Sequence, residues 1–118
     1  MSGTEPEVSP THDADASTTR PVRAVEVDDY RDAGELLRAV TAPVRLAIVD
    51  LLADGPLCVH DLVDALGIPQ PLVSQHLKVL RSARLVATDR RGREVTYTLV
   101  DDHVAHIVRD AIRHVSEP

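Results

Sequence analysis

The segment from Cys58 to Leu80, CVHDLVDALGIPQPLVSQHLKVL, constrains the fold of this chain more than any other stretch. Val59, Leu62, Val63 and Leu66 recur at the three-and-four spacing of one buried helix face. Gly67 ends that helix, because glycine takes a left-handed backbone without penalty. Pro69 and Pro71 fit at or before a first helical turn, where a missing N–H costs nothing. A second helix then buries Leu72, Val73, Leu77 and Leu80 and turns Gln70, Ser74, Gln75, Lys78 and Arg81 outward. Amides, a hydroxyl and two cations are the groups that read base edges and hold phosphates. The expected unit is a helix-turn-helix with a recognition helix. A plain helical hairpin with a polar solvent face shares the same pattern.

The residues that follow favour the DNA-reading alternative. After Arg84-Leu85 the periodicity changes from helical to alternating. LVATD leads into Arg90-Arg91-Gly92-Arg93 and then EVTYTLV, where Val95, Tyr97 and Leu99 share one face and Thr96 and Thr98 the other. Gly92 in a short polar loop signals a hairpin. A helix-turn-helix joined to a hairpin with three arginines at its tip reads as a winged helix. Arginines at such a tip suit the minor groove or phosphates. The expected fold class is mainly α with a small β-hairpin.

Upstream, Ala33, Leu36, Leu37 and Val40 form the buried face of a first helix that starts near Asp28-Asp29. Thr41-Ala42-Pro43 breaks it and starts another, with Val44, Ala47, Ile48, Leu51 and Leu52 buried and Gly55-Pro56 as its end. Residues 1–26 are rich in Pro, Ser, Thr, Asp and Glu and lack an apolar face, so a disordered acidic tail is expected before a domain spanning 27–118. His12, Asp13 and Asp15 in that tail read as solvated.

The net charge of −6 is unusual for a DNA binder. Its distribution resolves part of the difficulty. Residues 1–29 carry seven acids and two arginines, whereas Gln75–Leu99 carries six bases against Asp89 and Glu94. A basic strip on a near-neutral body is adequate for phosphate contact. The 2 aromatics exclude a stacking platform for single-stranded nucleic acid, and the 1 cysteine excludes an internal disulfide. No apolar run is long enough to span a membrane and no secretory signal is evident, so a cytoplasmic protein is expected. About 90 ordered residues with a thin aliphatic core are marginal alone, which favours a homodimer.

The C-terminal segment carries a second constellation. Val104, Ile107, Val108, Ala111 and Val115 form a heptad-like seam suited to pairing with a partner helix. His103 and His114 lie eleven residues apart, close to three whole turns, so they share a face but stand roughly 16 Å apart along the axis. One chain cannot bring both to one metal. Two such helices paired antiparallel would bring Asp101 and His103 of one protomer to His114 and Glu117 of the other. Two imidazoles and two carboxylates suit tetrahedral Zn(II), with two sites per symmetric dimer. A solvated polar flank beside a dimer seam gives the same spacing.

Taken together, LLRAVTAPVRLAIVDLL, LCVHDLVDALGIPQPLVSQHLKVLR, the RRGREVTYTL wing and the final Asp101-x-His103-x10-His114-x2-Glu117 resemble bacterial ArsR/SmtB-family metal-sensing repressors over residues 28–117. The resemblance implies an apo homodimer that binds an operator, an imperfect inverted repeat of double-stranded DNA, and releases it when metal binds. It assigns Asp101, His103, His114 and Glu117 to a zinc site. By the same reading Gln70, Ser74 and Gln75 contact bases, Lys78 and Arg81 contact phosphates, and Arg90, Arg91 and Arg93 clamp the flank. His76, on the recognition helix, could contact phosphate or bases or support the core, and it matches a position where the family places a His, usually in a structural role.

The chain departs from the family pattern at the helix-turn-helix entrance. Some members carry C-V-C-D-L there, and here it is Cys58-Val59-His60-Asp61-Leu62. His60 in place of the second thiolate weakens a soft-metal site. Cys58 and Asp61 match a pair that other members complete with tail ligands, but this tail has no Cys, and His12 is its one imidazole. His106 and Asp110 offer variant ligands on the last helix, and imidazole also suits Ni(II) and Co(II). The rival function is a winged-helix DNA-binding regulator without metal control. An enzyme is disfavoured, since the chain has no Gly-rich phosphate loop or activated nucleophile motif, and four protein ligands would leave zinc no open position.

Overall fold

The computed structural model describes residues 19–118. Five helices and three short strands follow in the order α1 (Val27–Val40), α2 (Pro43–Leu52), β1 (Leu57–Cys58), α3 (Val59–Leu66), α4 (Gln70–Ser82), β2 (Val86–Arg91), β3 (Glu94–Leu99) and α5 (His103–Ser116). Residues 20–26 precede the first helix without helix or strand and are exposed. The expected tail thus lies mostly outside the described residues. Among those described, no helix is long and apolar enough to cross a membrane.

The helix boundaries follow from local chemistry. Asp28 and Asp29 occupy the first turn of α1, where carboxylates complement the helix dipole. Pro43 opens α2 behind Ala42, whose extended backbone suits a residue before proline. Gly67 closes α3 in the left-handed conformation, φ 68°, and its N–H bonds to the Val63 carbonyl at 2.8 Å. Pro69 caps the entry to α4 and Pro71 sits in its first turn. The exit from α4 is a Schellman turn made without glycine. Arg84 adopts φ 62°, its N–H bonds to the Arg81 carbonyl at 2.9 Å, and the Leu85 N–H reaches Leu80 at 2.9 Å. Leu80 and Leu85 are both buried, the apolar contact that accompanies such a turn.

One core joins all five helices. Ile48 and Val49 of α2, Leu62 of α3, Val73, Leu77 and Leu80 of α4, and Val108 of α5 are its most enclosed side chains. Burying each is worth about 1.5–3 kcal/mol. The core holds no buried polar or charged side chain among the described residues. A polar clamp lies at its edge. Arg109 of α5 donates to Asp50 Oδ1, the Asp50 carbonyl and Asp54 Oδ1, each at 2.9 Å, pinning α5 across the end of α2. The Asp54 and then the Asp50 hydrogen bonds raise the Arg109 pKa above its ordinary value.

Several side chains differ from the sequence expectation. Leu72 is 40% exposed, because Val73, Leu77 and Leu80 take the inner face and Leu72 falls about 100° behind Val73. In α1, Ala33 and Leu37 are exposed, Leu36 is half-buried against the core, and Ala39 and Val40 are buried, so the helix meets the core through its C-terminal part. The α5 seam divides. Val104 and Val108 pack into the protomer's own core, while Ile107 and Val115 remain 49% and 81% exposed. The hairpin turn is Gly92-Arg93 alone, with φ 64° at Gly92. Arg90 and Arg91 lie in β2, opposite Val95 and Glu94. A third strand, β1, pairs with β3 through Leu57↔Tyr97 and Cys58↔Thr96, which ties the helix-turn-helix to the wing.

Candidate nucleic-acid interface and metal centre

The residues expected to meet DNA emerge on one side of α4. Gln70, Ser74, Gln75, Lys78 and Arg81 are all exposed. At 3.6 residues per turn they span roughly 140° of the helix circumference, an arc separate from that of Val73, Leu77 and Leu80. The N-terminal half of that face offers side-chain amides and a hydroxyl, and the C-terminal half offers two cations. The wing adds Arg90, Arg91 and Arg93, all exposed. Arg91 Nε lies 3.2 Å from Asp89 Oδ2, a surface pair weak enough for a phosphate to displace. The side chain of Thr96 bonds to the Asp89 carbonyl at 3.3 Å and braces the strand behind that pair.

His76 does not join the exposed face. It is half-buried, and its Nδ1 lies 3.2 Å from Arg45 NH1. Sequence reasoning named His76 but had no means to find this partner, which lies 31 residues away.

Cys58 ends β1 and caps α3. Its N–H bonds to Asp61 Oδ2 at 3.1 Å and its Sγ–H to the same oxygen at 3.3 Å. The backbone bond first, then the thiol bond, holds the Asp61 carboxyl below its ordinary value of 3.8. The spacing Cys-x-x-Asp is a helix-start signature that the sequence did display. The pair thus has a local task, and among the described residues no group of three or more His, Cys, Asp and Glu side chains stands ready to hold a metal. His12 lies outside the described residues.

On α5 the four proposed ligands fall into two pairs at opposite ends. Asp101 sits just ahead of the helix, where its Oδ1 accepts the His103 N–H at 2.9 Å and lies 3.3 Å from His103 Nδ1. His114 is in the last turn and Glu117 is the C-terminal cap, with extended backbone at φ −81°, ψ 138°. All four are exposed. Each end therefore presents one imidazole and one carboxylate, a donor set that fits Zn(II). His103, Ile107, Ala111 and His114 fall within about 80° of the helix circumference, beside the buried row of Val104 and Val108. His106 sits on an adjacent strip, its Nε2 3.6 Å from Asp102 Oδ2, and Asp110 pairs with Arg113 at 3.3 Å.

Comparison with known proteins bears on the helix-turn-helix and the wing. Residues 42–88 match the family described as bacterial regulatory protein, arsR family. The HTH-type transcriptional repressor SmtB of Mycobacterium tuberculosis is 62% identical over 85 residues, which make up 72% of this chain and 63% of that protein. The HTH-type transcriptional regulator NmtR of the same organism is 41% identical over 95 residues, 80% of this chain and 79% of that protein. Among solved structures, HlyU from Vibrio cholerae has a TM-score of 0.71 at 32% identity, covering 78% of this chain and 100% of its own. With its helix-turn-helix and β2–β3 wing, the chain belongs to the arsR family of bacterial regulatory proteins.

Proposed function

We propose that this chain is a metal-responsive transcriptional repressor and not an enzyme. It acts in the cytoplasm as a homodimer whose apo form holds an imperfect inverted repeat of double-stranded operator DNA. Two recognition helices enter successive major grooves, as two-fold symmetry requires. Gln70, Ser74 and Gln75 face base edges, Lys78 and Arg81 face phosphates, and Arg90, Arg91 and Arg93 hold the flanking backbone. Zn(II) favours release.

The observation that carries this reading is the α5 face on which His103 and His114 bracket Ile107 and Ala111. Ile107 is 49% exposed and Val115 81%, while Val104 and Val108 of the same helix are buried in the protomer's own core. Val27, Tyr30 and Leu37 of α1, at 61%, 59% and 43% exposure, are further apolar side chains left for a second copy to cover. With α5 helices paired antiparallel, Asp101 and His103 of one protomer meet the partner's His114 and the partner's Glu117. These four residues would hold Zn(II), two sites per dimer, and would thereby be joined across the two helices. Chain residues alone set what that cross-link moves, because Arg109 ties α5 to α2 and α2 underlies α4.

Sedimentation equilibrium combined with zinc titration tests the arrangement. A dimer binding two Zn(II) ions supports it, and a monomer binding zinc with the same affinity sinks it. A second reading, a DNA-binding regulator without metal control or one answering to Ni(II) or Co(II), draws on the solvation of the ligand pair. The side chains of His103 and Asp101 are 86% and 53% exposed. Under that reading the His103→Ala/His114→Ala protein regulates normally.

A further inference from the structure

Arg45 and His76 join three helices at the back of the reading head. Arg45 Nε donates to the Ala39 carbonyl at 2.6 Å. That carbonyl belongs to the last turn of α1, where backbone acceptors lack helical partners and the dipole favours a cation. The same guanidinium lies 3.2 Å from His76 Nδ1 on α4. Arginine only donates, so Nδ1 is the acceptor in this hydrogen bond. Both side chains are half-buried, and His76 sits between the inward row of Val73 and Leu77 and the exposed DNA-facing residues.

Resting on the DNA-reading role above, we propose that His76 is a positioning residue. Through Arg45 it fixes the orientation of α4 against the α1–α2 corner, and with it the aim of Gln70, Ser74 and Gln75 at base edges. It is neither a DNA contact nor a metal ligand. Base-edge hydrogen bonds demand close alignment, whereas phosphate contacts tolerate displacement. Breaking the Arg45–His76 bond therefore costs sequence discrimination and spares non-specific binding. A phosphate contact at His76 would instead lower both together.

The test uses a fluorescent duplex selected from a random-sequence pool by the wild-type apo protein, and a scrambled duplex at the same salt concentration. His76→Leu should lower affinity for the selected duplex about tenfold, with scrambled-duplex affinity unchanged. His76→Asn, whose Oδ1 can accept from Arg45 in place of Nδ1, should recover most of the loss. Arg45→Met should match His76→Leu, and the double variant should lose no more than either single change. Hydrogen exchange of the α4 amides should quicken in His76→Leu without DNA present. Unchanged discrimination in a folded His76→Leu protein overturns the proposal, as does additive loss in the double variant or failure of His76→Asn to recover. If His76→Leu does not fold, Arg45→Met and His76→Asn decide by the same criteria. A wild-type protein that prefers no selected duplex would instead refute the DNA-reading role itself, while the exchange measurement would still report on the Arg45–His76 bond.

Discussion

Asp101 Oδ1 lies 3.3 Å from His103 Nδ1 and also accepts the His103 backbone N–H at 2.9 Å. The carboxylate is thus held beside the imidazole before any metal arrives, which lowers the ordering cost of binding. Asp101→Ala should weaken Zn(II) binding by at least about 10–100-fold, the range seen when even an outer-shell partner is lost. Competition against a chromogenic chelator measures this. Zinc affinity unchanged in Asp101→Ala would remove Asp101 from the site.

Ile107→Glu places a charge on the uncovered α5 face without entering the core, since Ile107 is 49% exposed. The expected outcome is a folded protein whose dimer dissociates at least about tenfold more readily, a change of about 1.4 kcal/mol. Sedimentation equilibrium reads the association and circular dichroism reads the fold. Val108→Glu, by contrast, should unfold the protomer, because Val108 is 1% exposed.

Arg84 holds φ 62° although it is not glycine. Arg84→Gly should raise stability by about 1 kcal/mol, because a Cβ disfavours that backbone conformation. If Arg84 adds to the basic strip, the same change should make DNA binding weaker and less salt-sensitive, with the log–log slope falling by about 1. Chemical denaturation and anisotropy across a salt series test the two halves separately.

The Asp61 carboxyl titrates below its ordinary value of 3.8, first because of the Cys58 N–H and then because of the Cys58 thiol. A carboxyl with a lowered folded-state pKa stabilises the fold above its unfolded value, and that contribution is lost as pH falls through the folded value. Asp61→Asn should therefore melt lower than wild type at neutral pH. The gap should close on acidification from about pH 4 downward. Melting curves across that range check it. A gap that stays constant down to pH 2 would show that the carboxylate charge is not what holds the start of α3.

Much of this molecule was legible in its sequence because the informative residues are local. Gly67, Pro69 and Pro71 mark the turn of the helix-turn-helix, and Pro43 and Gly55 bracket α2. The wing followed from alternation in Val95, Tyr97 and Leu99. What escaped were relations between distant segments. Strand β1 is only two residues long and exists because Leu57 and Cys58 meet Tyr97 and Thr96. Periodicity grouped Val104 and Val108 with Ile107, but only the packing of α5 on α2 shows which of them the protomer keeps for itself. Leu72 was placed inside because an apolar residue beside Val73 fits a wide helical stripe, yet the stripe of α4 is narrow. The Arg45–His76 bond has no sequence signature at all.

Operator binding by fluorescence anisotropy, at one fixed salt concentration and with or without one Zn(II) per subunit, tests the central claim most directly. Zinc should weaken binding at least about tenfold, about 1.4 kcal/mol. A His103→Ala/His114→Ala protein should bind the same DNA and ignore zinc. Tight binding that zinc leaves unchanged would contradict the account.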